Sequence, residues 1–279
     1  MDLKELKKGK VIVFGDIMLD KYLSGSIDRI SPEAPVPVLN PSSEEIRLGG
    51  AANVALNLSS LGVKTTLLGV TGKDDDSEKI IDLLKLNKIK FSLRRSVVPT
   101  ISKTRLLSSQ QQLLRIDEEE KFSDADWKAS FSQFLKLVNQ DNNKVCILSD
   151  YGKGTLMDTK LIIRRAKAKG KIILIDPKGK DFSKYVGADL ITPNLNEFMD
   201  VVGKIASEKE LTNKGKNLIK SLKLNALLIT RGPDGMTLLE NKNKKIKRTD
   251  FPTQARDVFD VSGAGDTVIA SVASGLAAD

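Results

Sequence analysis

The sequence predicts an α/β fold, with a mostly parallel central sheet, flanking helices and a small β lid. Three observations point there. Short β-branched runs alternate with amphipathic stretches. Loops rich in Gly, Asn and Asp follow those runs, where parallel sheets place ligand-binding turns. Two β-like insertions then interrupt the alternation. At 279 residues and 40% hydrophobic content, the chain can bury a substantial core, and residues 1–279 are read as one domain.

Strands are expected at 11–14, 65–68, 145–148, 172–175, 190–191 and 226–229, each a short aliphatic or β-branched run. Helices are expected at 51–61, 77–87, 124–139, 159–169, 196–202 and 208–222. Ser207 and Glu210, three apart, form a capping-box start for the last of these. Residues 20–47 carry Pro32, Pro35, Pro37 and Pro41, which forbid a helix and suit edge strands or irregular β. Residues 101–117 read as two strands around a polar turn. Segments 17–48 and 98–117 are therefore the expected lid, with an oligomer contact or plain surface decoration as alternatives. The lid is favoured because both segments adjoin loops with chemical potential.

Composition excludes several function classes. There is no histidine, so His-based triads and imidazole metal sites are ruled out. The single cysteine, Cys146, sits in an apolar run as a buried strand residue, and one cysteine forms no intrachain disulfide. That agrees with a reducing cytoplasm, the expected location. No apolar run is long enough to span a bilayer, so no membrane partner is expected. The net charge of +9 comes from lysines spread along the chain, densest from Lys242 to Arg248 at an expected hairpin tip. Aromatic residues make up 5% and do not interleave with the basic positions. A solvated lysine-rich surface that attracts anionic metabolites fits better than a nucleic-acid partner.

The segment Asp260-Val261-Ser262-Gly263-Ala264-Gly265-Asp266 carries the strongest chemical signal. A loop of small residues opening a helix aims unpaired N–H groups at solvent, where the helix dipole favours anions. Asp266 stands on the rim of that bed, which suggests phosphoryl transfer to a hydroxyl. The positive helix end is expected to keep its carboxylate ionised. Asp16 and Asp20, after the first strand, are polyol acceptors or turn and cap residues. Gly49 and Gly50 allow close backbone approach, and Asn53 can pair with hydroxyls; a purely structural glycine pair is the alternative. Asn194 and Glu197 either organise hydrated Mg²⁺ or form a capping box. Lys178, Thr230 and Gly232 lie in further loops after consecutive strands, which converge on one sheet edge.

In this order and spacing, the Gly49-Gly50, Asn194 to Glu197 and Asp260 to Asp266 segments resemble the ribokinase-type (PfkB) carbohydrate kinase family. The segments 15–20, 29–38, 148–154 and 176–179 are similar to one subgroup, the D-glycero-D-manno-heptose 7-phosphate kinases of lipopolysaccharide-core (ADP-heptose) synthesis. The resemblance implies a ribokinase-like fold and ATP-dependent phosphorylation of the anomeric hydroxyl to the 1,7-bisphosphate. It implies Asp266 as catalytic base, with the amides of Gly263, Ala264 and Gly265 as anion hole. Asn194 and Glu197 would organise Mg²⁺ and the ATP phosphates, Glu197 through water. Lys178, Thr230 and Gly232 would line the nucleotide site, and Asp16, Asp20, Gly49, Gly50 and Asn53 the sugar site. Lys103 and Arg105 are candidates for the distal phosphate, with Arg29 and Arg115 behind them. Many members hold a monovalent cation such as K⁺ near the last motif, to which Asp260 and Ser262 could contribute. Val261 stands where the family usually has Thr. Against the family pattern, the C-terminal helices that close the adenine pocket are expected to be absent. A homodimer through the β lid is expected. Other sugar kinases of the family and a non-catalytic sugar or nucleotide sensor are the alternatives.

Overall fold

Strands buried on both faces need helices on both sides, and their sequence runs order the main sheet. The computed structural model describes residues 3–109, 111–140, 143–242, 245–253 and 263–278. Chain order begins α1 (Leu3–Leu6), β1 (Lys10–Gly15), β2 (Ile17–Ile30), β3 (Pro37–Gly50), α2 (Ala51–Ser60), β4 (Lys64–Thr71), α3 (Asp75–Leu86) and β5 (Lys90–Arg95). There follow β6 (Ser102–Ser108), β7 (Gln111–Glu118), α4 (Asp124–Gln140), β8 (Val145–Ser149), α5 (Thr159–Lys167), β9 (Ile172–Asp176), β10 (Leu190–Ile191), α6 (Leu195–Val202) and α7 (Glu208–Leu222). β11 (Ala226–Thr230), β12 (Met236–Lys242), β13 (Lys245–Phe251) and α8 (Ala264–Ala278) complete the order.

Among the described residues, nine strands form one sheet in the order β13-β12-β11-β10-β9-β8-β1-β4-β5. The run from β11 to β5 is parallel, while β12 and β13 add an antiparallel edge. The chain builds outward from β1 to β4 and β5 on one side, then to β8, β9, β10 and β11 on the other. Between β1 and β8 lies the topological switch, where α/β sheets open a crevice at the carboxyl ends of strands. Alternation within β1 splits the core. Ile12 and Phe14 pack with Trp127, Phe134 and the α5–α7 side, whereas Val11 and Val13 pack with α2 and α8.

The two insertions form a separate four-stranded sheet, β3-β2-β6-β7, joined to the body through β2 and β3. Its prolines are tolerated by position. Pro37 opens β3, and Pro41 faces Gly25 at a register shift, where a missing N–H breaks no regular ladder. The segment 20–47 thus forms a long ribbon whose β3 is an edge strand, one of the two forms expected.

Element boundaries differ from expectation where caps decide them. α3 begins two residues early because Asp74 Oδ1 accepts the Ser77 N–H at 2.9 Å. α5 stops at Lys167, two residues short of the expected end, before Gly170 with φ 69°. Ser207 accepts the Glu210 N–H, but the Glu210 carboxylate takes the Ala206 N–H instead of closing the box. β5, β12 and β13 were not expected as strands from residue patterning, apart from the basic hairpin tip that β12 and β13 flank.

Candidate active site

Period-two alternation puts Met18, Asp20 and Tyr22 on one face of β2, and the β6 register sets Lys103 beside Asp20 and Arg105 beside Tyr22. That face closes over the carboxyl edge of the main sheet and encloses a cavity of about 460 Å³. Asp20, Gly49, Gly50, Asn53, Lys103, Arg105, Gly263 and Asp266 all line it. Residues up to 246 positions apart in sequence are brought together here, from 20 to 266.

At one end of the cavity stands Asp266, near the start of α8. The first described helical bond of α8 joins the Thr267 N–H to Gly263 O at 3.0 Å. The amides of Ala264, Gly265 and Asp266 precede it and form the open helix end. Gly263 has φ 78°, and a Cβ there would stand 2.7 Å from Asn53 Nδ2, so a side chain would displace Asn53. Asn53 Nδ2 donates to Asp266 Oδ2 at 2.7 Å, and Tyr151 Oη to Oδ1 at 3.4 Å. Thr267 Oγ1 donates to Asn57 Oδ1, a second tie between α8 and α2. Gly50, the N-cap of α2, has φ 55°, and a Cβ would lie 2.5 Å from the Asp16 carbonyl.

Burial raises the Asp266 pKa to about 6, against the lowering bonds from Asn53 and Tyr151. Here the structure departs from the sequence expectation: desolvation outweighs the helix end, although the group is still mostly ionised at neutral pH. A base must be deprotonated to accept a proton. Activity is therefore expected to fall about tenfold per pH unit below an apparent pKa near 6. A kcat/KM profile that stays flat down to pH 4 would contradict that role.

The lining also carries cations, two of them ion-paired, Arg47 with Glu45 and Arg105 with Asp20. Arg105 Nη1 pairs with Asp20 Oδ1 at 2.6 Å, and the Arg105 and Arg47 guanidinium groups lie 5.0 and 4.4 Å from the Tyr22 ring centroid. Lys103 adds a third cation. Arg47 was missed by sequence reasoning; its register partner Asp20 is the signal that could have found it. Arg29 and Arg115 do not line the cavity, and Arg115 is engaged with Asp117.

Asp16 lies beneath the cavity and is fully buried. Its Oδ2 accepts the Tyr151 and Lys153 amides at 2.8 and 3.1 Å, and Oδ1 accepts the Thr155 amide at 3.1 Å. It fixes the loop that carries Tyr151. Burial raises its pKa despite these bonds.

Lys178, Asn194, Glu197, Thr230 and Gly232 form a second group along the same sheet edge, outside the cavity lining. Asn194 and Glu197 make a complete capping box, with Asn194 Oδ1 accepting the Glu197 amide and Glu197 Oε2 the Asn194 amide. Glu197 Oε1 pairs with Lys178 Nζ at 3.0 Å. Asn194 bridges to Thr230, and Gly232 follows with φ 58°. Tyr151 and Asp176 connect the two groups electrostatically; both end or follow parallel strands, in segments 148–154 and 176–179, where the sequence assigns neither a role. Asp176 keeps some solvent exposure, yet desolvation, then the Asp266 and Glu197 charges, push its pKa well up. A divalent cation between these carboxylates would relieve that repulsion, so the donor set fits Mg²⁺. Among the described residues no three carboxylates converge at metal-binding distance, and such an ion would keep several waters. Asp260 and Ser262, proposed for a monovalent cation, lie outside the described residues.

A doubly wound sheet with a β flap, and a buried carboxylate at a glycine-rich helix start in a cavity also lined by cations, are the features of a sugar-kinase type of protein. The model of the pfkB family carbohydrate kinases matches residues 8–279, and the chain belongs to that family. It is 48% identical over 277 residues to "Bifunctional protein HldE" of Aeromonas hydrophila, covering 99% of this chain and 57% of that protein. The chain thus spans little more than half the length of the curated relatives it matches. Among solved structures it resembles phosphofructokinase-2 from Escherichia coli in complex with substrates and products. That match has TM-score 0.79 and 18% identity, over 96% of this chain and 86% of the other. Arabidopsis thaliana ribokinase complexed with ribose and ATP gives TM-score 0.73 and 20% identity, over 96% and 86%. These structures share the fold.

Proposed function

We propose that the chain transfers the γ-phosphoryl group of ATP to the anomeric hydroxyl of D-glycero-D-manno-heptose 7-phosphate, yielding the 1,7-bisphosphate for ADP-heptose synthesis in the cytoplasm. One observation carries this reading: a single cavity is lined by Asp266 at a helix start and by Lys103, Arg105 and Arg47. A base and cations sharing one cavity suit a sugar that already bears a phosphate. The subgroup segments, 29–38 and 148–154 among them, support the heptose.

Asp266 accepts the hydroxyl proton as the sugar oxygen bonds to phosphorus and the bond to ADP breaks. The amides of Gly263, Ala264 and Gly265 stabilise the charge on the transferring group. Asn53 and Tyr151 orient the base, and Asp20 with the Gly49–Gly50 backbone holds sugar hydroxyls. Glu197, Asn194 and Asp176 would hold hydrated Mg²⁺, whose role is to neutralise phosphate charge. Lys178, Thr230 and Gly232 flank the nucleotide. A coupled ADP assay over a sugar panel tests the substrate; preference for ribose or fructose 1-phosphate would replace the heptose.

A homodimer through the small sheet is part of this reading. β7 is an exposed edge strand, with Leu114 at 55% and Ile116 at 46% exposure on one face. A second copy would cover that edge and blunt its pairing hazard. Leu114→Lys with Ile116→Lys is expected to shift sedimentation from dimer to monomer. Unchanged sedimentation would contradict this contact.

A further inference from the structure

A larger cavity lies at the opposite edge of the main sheet, where β1, β4 and β5 begin, and measures about 980 Å³. Register explains its charge. Thr66 pairs with Lys90, and Lys64 stands two residues before Thr66, so Lys64 and Lys90 project from the same sheet face. That face is the one covered by α4, whose Lys136 reaches the same space, while Lys88 enters from the turn after α3. Among the described residues, none of these four lysines makes an ion pair with a carboxylate, and no Asp or Glu lines the cavity.

A second, independent observation sits in the wall. Asn143 is only 3% exposed, and its Nδ2 has no hydrogen-bond partner among the described residues, although its backbone carbonyl accepts Lys171 Nζ at 2.5 Å. An unsatisfied buried donor costs about 1–3 kcal/mol. Five lysine ammonium groups around one space, that of Lys10 included, also repel each other. A multiply charged oxyanion relieves that repulsion. The volume suits a nucleotide-sized molecule, and Phe91 adds an apolar wall for the uncharged part of such a ligand.

We propose that this cavity binds a small molecule bearing a polyphosphate, at a site separate from the substrates above. It stands at the amino ends of β1, β4 and β5, whereas the candidate active site lies at the carboxyl edge of the same sheet. Occupancy can therefore be read without disturbing the catalytic residues.

The test is calorimetric titration of the full chain with inorganic tripolyphosphate at about 150 mM salt. The Lys64→Ala, Lys90→Ala double variant is expected to lose about tenfold or more in affinity. Its sugar-phosphate turnover should stay unchanged. Lys103→Ala, on the catalytic edge, is expected to leave this binding event intact. Should the double variant fail to fold, Lys136→Ala on the exposed side of α4 is expected to weaken binding about threefold. Binding indifferent to Lys64, Lys90 and Lys136, or removed by Lys103→Ala, would overturn the site. So would the absence of any tripolyphosphate binding. Failure of the kinase reading would show instead as loss of turnover in every assay, with this titration unaffected.

Discussion

Asp266→Asn is expected to lower kcat by about 10²–10⁴-fold while leaving ATP affinity nearly intact, because general-base help of that size is what it removes. The same substitution should raise stability. The folded pKa of about 6 lies above the ordinary 3.8, so burial favours the protonated form. That contribution is fully present below pH 3.8 and is lost as pH rises through 6. Near neutral pH the ionised group costs folding on the order of 3 kcal/mol, and a neutral amide of the same shape should recover roughly 1–3 kcal/mol of it. Denaturant unfolding and initial rates on one preparation check both. Near wild-type turnover would remove Asp266 from the chemistry. Lower stability near neutral pH would show that Asn53 and Tyr151 bind the carboxylate more strongly than burial opposes it.

Lys103→Ala is expected to raise the KM for the sugar phosphate about 10–100-fold, the loss of one charge-assisted contact worth about 1.5–3 kcal/mol. A sugar without the distal phosphate should lose far less. Arg105→Ala should cost more than Lys103→Ala, because Asp20 then loses its 2.6 Å partner inside the cavity as well. Equal losses with both sugars would argue that these cations shape the lid rather than meet a phosphate.

How much of this was legible beforehand depends on the kind of signal. The central strands were readable because Val11 to Phe14 and Val145 to Leu148 are buried on both faces and need unbroken apolar runs. β5 was not, since Lys90 to Arg95 is an edge strand with mixed exposure and no clean period. The glycine loop and Asp266 were legible as chemistry, because small residues before a helix have few other uses. Arg47 was not, as nothing local distinguishes it, and Tyr151 and Asp176 stood in subgroup-like segments without a readable role. Register with Asp20, the amides held by Asp16 and the convergence of strand ends bring them to the site. The Asp266 pKa shows the same limit: its helix position was visible in the sequence, but its burial against α2 was not.

The Asn194–Glu197 pair was left open between cap and ion site, and it forms the cap. One carboxylate oxygen serves Asn194 and the other Lys178, so the pair reaches a hydrated ion only by sharing or exchanging these contacts.

The most direct measurement is a phosphoryl-transfer assay with D-glycero-D-manno-heptose 7-phosphate, ATP and Mg²⁺, with the product identified by phosphorus NMR. The predicted result is stoichiometric ADP and a 1,7-bisphosphate, absent with Asp266→Asn. Phosphate placed on any other hydroxyl, or ADP release that does not depend on the heptose, would contradict the account.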